Sequence, residues 1–163
     1  MTNQDIFNTT LDEFYAYLSD IMEIYRQAIP VLRDELEAIM ADAILDLDTS
    51  LKSQQALILQ TRNFQQRTEE YLSRLNIKAD TLSEMANQLP EEEKFRFFDL
   101  LGEFEPIISE VDFYKDKCRS LLQGKLYSIN KALENQSGDN RTYNSEAAGI
   151  QGSLMPKAFE KKI

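Results

Sequence analysis

The chain has 163 residues, enough for a single domain with one core, and its 28 acidic against 18 basic side chains leave a net charge of −10. That balance argues against nucleic acid or an anionic membrane surface as the main partner. The absence of histidine removes the commonest metal ligand and the usual general base near neutral pH. Only 5 glycines and 4 prolines occur among plentiful Leu, Ala, Glu, Gln, Asp and Arg, which favours helices over a turn-rich β architecture. Cys118 is the single cysteine, so there is no intrachain disulfide and no thiolate cluster; its place on an apolar stripe reads as a buried small hydrophobe. Met1-Thr2-Asn3-Gln4-Asp5 lacks the basic start and apolar run of a signal peptide. No apolar segment approaches the ~20 residues needed to span a bilayer, so a cytoplasmic protein is expected.

In chain order, Thr10-Leu11-Asp12-Glu13 fits a capping box that opens a first helix. Leu11, Phe14, Leu18, Ile21, Tyr25, Ala28 and Leu32 follow at alternating steps of three and four, a heptad seam that implies a left-handed, coiled-coil-like contact. The pattern then reads as slipping by one residue to Leu36, Ile39 and Ala43. Pro30 lies inside the run and predicts a kink. Tyr15, Tyr17 and Met22 lie off the seam and widen its apolar face.

Asp46-Leu47-Asp48-Thr49-Ser50 offers N-cap candidates for a second helix. It resembles the start of a calcium loop, but the glycine and the closing glutamate of such a loop are missing. The second helix runs on through Leu57, Thr61, Phe64, Thr68, Tyr71 and Leu75, with Gln54, Thr61 and Thr68 at inward positions. Residues 76–80 read as a connection. Thr81-Leu82-Ser83-Glu84 is another capping box, opening a short helix that stops at Leu89 before Pro90.

Pro90-Glu91-Glu92-Glu93 marks the start of a long third helix, with proline in the first turn and acidic groups at the positive end of the dipole. Apolar residues recur at Ile107, Val111, Tyr114, Cys118, Leu121, Leu126, Ile129 and Leu133. From Pro90 to Leu133 such a helix would reach about 65 Å, so it must lie against other helices. Pro106 should bend it, and Phe95, Phe97, Phe98, Leu101 and Phe104 in its first third are expected to pack on the short helix and helix one rather than form an exposed docking patch. At Asn135 the helical pattern stops. The remaining residues carry turn formers and scattered apolar groups, too few to offset the cost of ordering the backbone, and predict a disordered tail.

The expected fold is all-α: an elongated antiparallel bundle of about three long helices over residues 1–134, followed by a flexible partner-binding tail over 135–163. No catalytic constellation is present. A di-iron bundle site needs Glu-x-x-His pairs, and there is neither a glycine-rich phosphate loop nor a nucleophile beside a base. No metal and no cofactor is expected. The chain reads as a protein that works by surface and by tail.

Asp80-Thr81-Leu82-Ser83-Glu84, Leu89-Pro90-Glu91-Glu92-Glu93, and Thr142-Tyr143 followed by Gly149, Gly152, Lys157, Lys161 and Lys162 together carry a family resemblance over nearly the whole chain. The sequence resembles the FlgN-like flagellar export chaperones. The resemblance implies a cytoplasmic chaperone of the flagellar type III export system. Such a protein holds hook-filament junction (hook-associated) proteins unpolymerised and delivers them to the export gate. It implies cargo contacts at the end of the last helix and the segment after it, here Leu126, Ile129, Leu133, Ile150 and Leu154, and export-gate docking by Tyr143. The free chain is expected to be a monomer or weak homo-oligomer, without nucleic acid and without membrane insertion. Two other classes stay open: a homo-oligomeric coiled-coil scaffold built on the Leu11–Leu32 seam, and a secretion regulator with a related helical hairpin.

Overall fold

In the computed structural model, residues 1–137 are described; the expected tail lies almost wholly outside them. Five helices occur among these residues and no strand: α1 (Asn3–Met40), α2 (Ile44–Thr61), α3 (Phe64–Leu75), α4 (Leu82–Asn87) and α5 (Glu91–Ser137). The all-α helical class is as expected. α5 continues two residues past Asn135.

α1 begins eight residues earlier than the capping-box reading. Thr2 and Asp5 form the box: the Asp5 amide donates to Thr2 Oγ1 at 3.1 Å, and the Thr2 amide donates to Asp5 Oδ2 at 2.9 Å. Thr10 lies inside the helix, its hydroxyl donating to the Ile6 carbonyl at 2.8 Å. The Thr10 and Glu13 pair serves a tertiary contact instead, since Arg74 of α3 donates to Glu13 at 2.8 Å and approaches the Thr10 hydroxyl at 3.4 Å. α1 runs through Pro30 without ending.

The heptad seam is fully inward: Leu11, Phe14, Leu18, Ile21, Tyr25, Ala28 and Leu32 are all buried. It does not slip. Glu35 and Ile39 continue it at steps of three and four, Ile39 being buried as expected and Ala38 buried beside it, while Leu36 and Ala43 are only half-buried. A helix that keeps its register against one neighbour keeps the 3–4 alternation, and here the alternation lands on a glutamate.

The expected second helix is two helices. Asn63, at φ −98° and ψ 13°, interrupts the ladder between α2 and α3. Threonine and asparagine compete with the backbone for its hydrogen bonds, and the Thr61 hydroxyl donates to the Ile58 carbonyl at 3.1 Å. The seam survives the break, with Gln54, Leu57, Thr61, Phe64, Thr68, Tyr71 and Leu75 all buried. α3 ends on Asn76 in the left-handed region (φ 56°), with Ile77 N–H donating to the Leu72 carbonyl at 2.9 Å. At α4, Thr81 accepts from the Glu84 amide at 3.1 Å, and the Glu84 carboxylate accepts from the Asp80 amide at 2.8 Å.

Contacts gather the chain into two units. The first comprises Met1–Gln27 and Leu57–Ser109; the second comprises Ala28–Ala56 and residues 110–137. The first unit is aromatic. Phe14 stacks on Tyr71 with centroids 4.9 Å apart, and Phe97 meets Tyr15 edge-on at 5.5 Å, as Phe104 meets Tyr25. Rising numbers on α1 meet falling numbers on α3 and rising numbers on α5, so α1 is antiparallel to α3 and parallel to α5. Arg67 and Arg96 lie over the Tyr17 and Tyr15 rings at 4.6 and 4.7 Å. Phe97, Leu101 and Phe104 are inward as expected, whereas Phe95 is 69 % exposed.

Candidate functional site

The second unit holds the candidate features. Its α1–α2 turn closes on Asp42 in the left-handed region (φ 54°), with the Ala43 N–H donating to the Ala38 carbonyl at 2.9 Å. The turn exposes Met40, Ile44 and Leu45, the last two 78 % and 84 % exposed.

α5 supplies the other wall. In this unit Val111 and Cys118 are buried as expected and Lys115 is buried between them, whereas Tyr114 and Leu121 of the expected stripe are half-buried. Among the described residues of α5 from 119 to 136 none is fully buried. Leu126 is half-buried, Ile129 is 50 % exposed and Leu133 is exposed beside them. These three expected cargo residues recur at intervals of three and four, which sets them on one face of the helix. Between the turn and this helix lies an open groove of about 540 Å³ lined by Asp42, Leu121, Gly124, Lys125, Ser128 and Ile129. An ion pair between Lys125 and Asp42 bridges it. Gly124 contributes open space: a Cβ there would meet nothing within 4 Å.

Beneath this surface is a buried polar cluster. Glu35 is fully buried and its Oε2 accepts from Gln54 Nε2 of α2 at 2.6 Å. Burial is the leading effect on its carboxyl and pushes it up to about 7, against hydrogen bonds from Gln54 and Cys118 that favour the charge. The Cys118 thiol, fully buried on α5, lies 3.8 Å from the Leu32 carbonyl. Burial first, then the Glu35 charge, pushes this thiol up to about 12, so it is an inert thiol. Sequence reading missed Glu35 because the seam was taken through Leu36; counting three on from Leu32 finds it. It also missed Met40, Ile44 and Leu45, whose apolar character gave no sign that they face outward.

Tyr143, Ile150 and Leu154 lie outside the described residues. Among the described residues no group of His, Cys, Asp or Glu is arranged to hold a metal ion, and no helix is long and apolar enough to cross a membrane.

The FlgN protein family matches residues 1–148, which covers every described residue and reaches past Tyr143. The chain belongs to the FlgN family. FlgN proteins are flagellar export chaperones rather than enzymes, and they bind flagellar proteins. No curated protein and no solved structure matches the chain.

Proposed function

We propose that this FlgN chain is a cytoplasmic chaperone of hook-filament junction (hook-associated) proteins, which it keeps unassembled and delivers to the export gate. The observation that carries the reading is the apolar face of Leu126, Ile129 and Leu133 on a part of α5 that has left the core. A junction protein polymerises through amphipathic helical ends, and a competing apolar face or groove blocks that. Leu126, Ile129 and Leu133 take cargo together with Ile150 and Leu154, and Tyr143 docks on the export gate. On this reading residues 1–134 are the folded domain and 135–163 the partner-binding segment. The scaffold alternative has less to use, because the Leu11–Leu32 seam is already buried within one chain.

The test is capture of hook-associated proteins from the native cytoplasm by the full chain and by Ile129→Asp and Leu133→Asp variants. Loss of a central apolar contact is worth more than about 1 kcal/mol, so retention should fall by roughly tenfold while the melting curve stays put. Tyr143→Ala should keep its cargo and lower export. Undiminished capture by both aspartate variants would remove α5 from the cargo site; recovery of nothing but the chain itself would favour the scaffold.

A further inference from the structure

Glu35 and Gln54 present a pairing that one proton completes. The carboxyl and the amide meet through a single hydrogen bond, from Gln54 Nε2 to Glu35 Oε2 at 2.6 Å. The two oxygens left over, Glu35 Oε1 and Gln54 Oε1, are both buried and meet no N–H or O–H donor; the weak Cys118 thiol near Glu35 is directed at the Leu32 carbonyl at 3.8 Å. Two acceptors cannot satisfy each other, and an orphaned buried acceptor is costly, more so when it belongs to a carboxylate. A protonated carboxyl removes both faults at once. Its carbonyl oxygen would keep the bond from the amide N–H, and its hydroxyl would supply the donor that the amide carbonyl lacks.

We propose that the folded chain holds Glu35 protonated, as a cyclic acid–amide pair with Gln54 whose proton lies between the two Oε1 atoms, and that losing this proton loosens the unit built from Ala28–Ala56 and residues 110–137. The surroundings fit a neutral acid. From α2 the group facing Glu35 is Gln54, and from α5 it is Cys118, whose weak S–H donor is shared with the Leu32 carbonyl. Lys115 is the buried cation on α5, three residues before Cys118. On α1 itself, Arg33 is exposed and occupied by Glu110 and Tyr114, and Asp34 and Glu37 face solvent. On α2, Lys52 pairs with Asp48 at the surface. The same unit carries Leu126, Ile129 and Leu133, so its order bears on that surface, but the acid–amide pair stands whether or not the surface takes cargo.

The sign follows from linkage. A carboxyl that titrates at about 7 when folded and near 4.5 when unfolded binds more protons in the native state between those values. Its stabilising effect is complete below the unfolded value, declines as pH rises, and is gone above the folded value. The decline is on the order of 100-fold in the unfolding equilibrium. Glu35→Gln is the informative variant, because an amide–amide pair keeps both hydrogen bonds and carries no titrating proton. Urea unfolding of the full chain across mildly acidic to mildly alkaline pH should show this loss for the parent, and a slope reduced by that amount for Glu35→Gln. Carbon NMR of the parent should show one glutamate carboxyl, absent in Glu35→Gln, titrating near neutrality. Titration of Glu35 in the ordinary carboxylate range, or the same pH slope in both proteins, would overturn the proposal. The NMR measurement needs only the parent's folded state, so the first of these outcomes does not depend on how the variant folds.

Discussion

A double-mutant cycle on Glu35 and Gln54 tests whether their contact is a unit or two separate contributions. Glu35→Leu leaves the Gln54 amide buried without its partner, and Gln54→Leu leaves the Glu35 carboxyl without its donor at 2.6 Å. Each orphaned group costs about 1–3 kcal/mol, and more where a carboxylate is stranded. Replacing both gives two leucines at facing inward positions that are fully buried in the parent. Burial of such side chains returns about 1.5–3 kcal/mol each, against an overpacking cost of about 1–3 kcal/mol. The double variant should therefore equal or exceed the parent, while both singles fall below it. The coupling is expected to be at least about 2 kcal/mol. Urea unfolding at neutral pH, followed by circular dichroism, supplies all four stabilities. Additive singles, with coupling inside about 0.5 kcal/mol, would mean that the two side chains do not share a bond and would falsify the pairing. A stabilised double variant would also mean that the polar pair costs stability where it stands, which turns attention to its titration.

Two further outcomes are expected. Cys118, fully buried with its thiol pushed up to about 12, should resist an aromatic disulfide reagent at pH 8, where about one part in 10,000 would be thiolate. Its labelling should speed up only as urea opens the surrounding unit, and rapid labelling of the native protein would contradict its burial. Gly124→Ala should stabilise the chain by about 0.5–1 kcal/mol, since glycine is the poorer helix former and the added methyl meets nothing within 4 Å. A destabilised variant by thermal melting would show that the groove wall is closed more tightly than this.

The apolar periodicity made the helical class and the first seam legible. Leu11 to Leu32 repeats at three and four, and all seven residues are buried. The tail of that seam was not legible, because a glutamate at an inward position looks like a surface residue until the partner that holds it is known. Leu36 offered a greasier choice one residue on, and hydrophobicity alone prefers it. The start of α1 failed for a related reason. Thr2-x-x-Asp5 and Thr10-x-x-Glu13 both have cap chemistry, and the second is used to hold Arg74, 61 residues away from Glu13. A local motif records what a side chain can bond, not which distant group claims it.

The end of α5 carries the opposite lesson. Val111 and Cys118 were read as inward and are buried, but Ile107, Tyr114 and Leu121 are only half-buried, and Ile108 and Lys115 take inward positions beside them, a lysine that hydrophobic identity alone would not choose. Beyond Cys118 the pattern of apolar residues continues although full burial does not. Periodicity reports that a face exists; it does not report whether the same chain supplies the surface to cover it. Leu126, Ile129 and Leu133 therefore looked as core-like as Leu18 or Ile21, and only their partial exposure sets them apart from residues consumed in folding. In a FlgN chaperone that difference matters. A core residue is fixed by what it packs against inside the chain. A residue proposed for binding must stay soluble while empty, and Lys125, Ser128 and Lys131 are interspersed on the same turns of α5, a polar setting that suits a half-exposed apolar face.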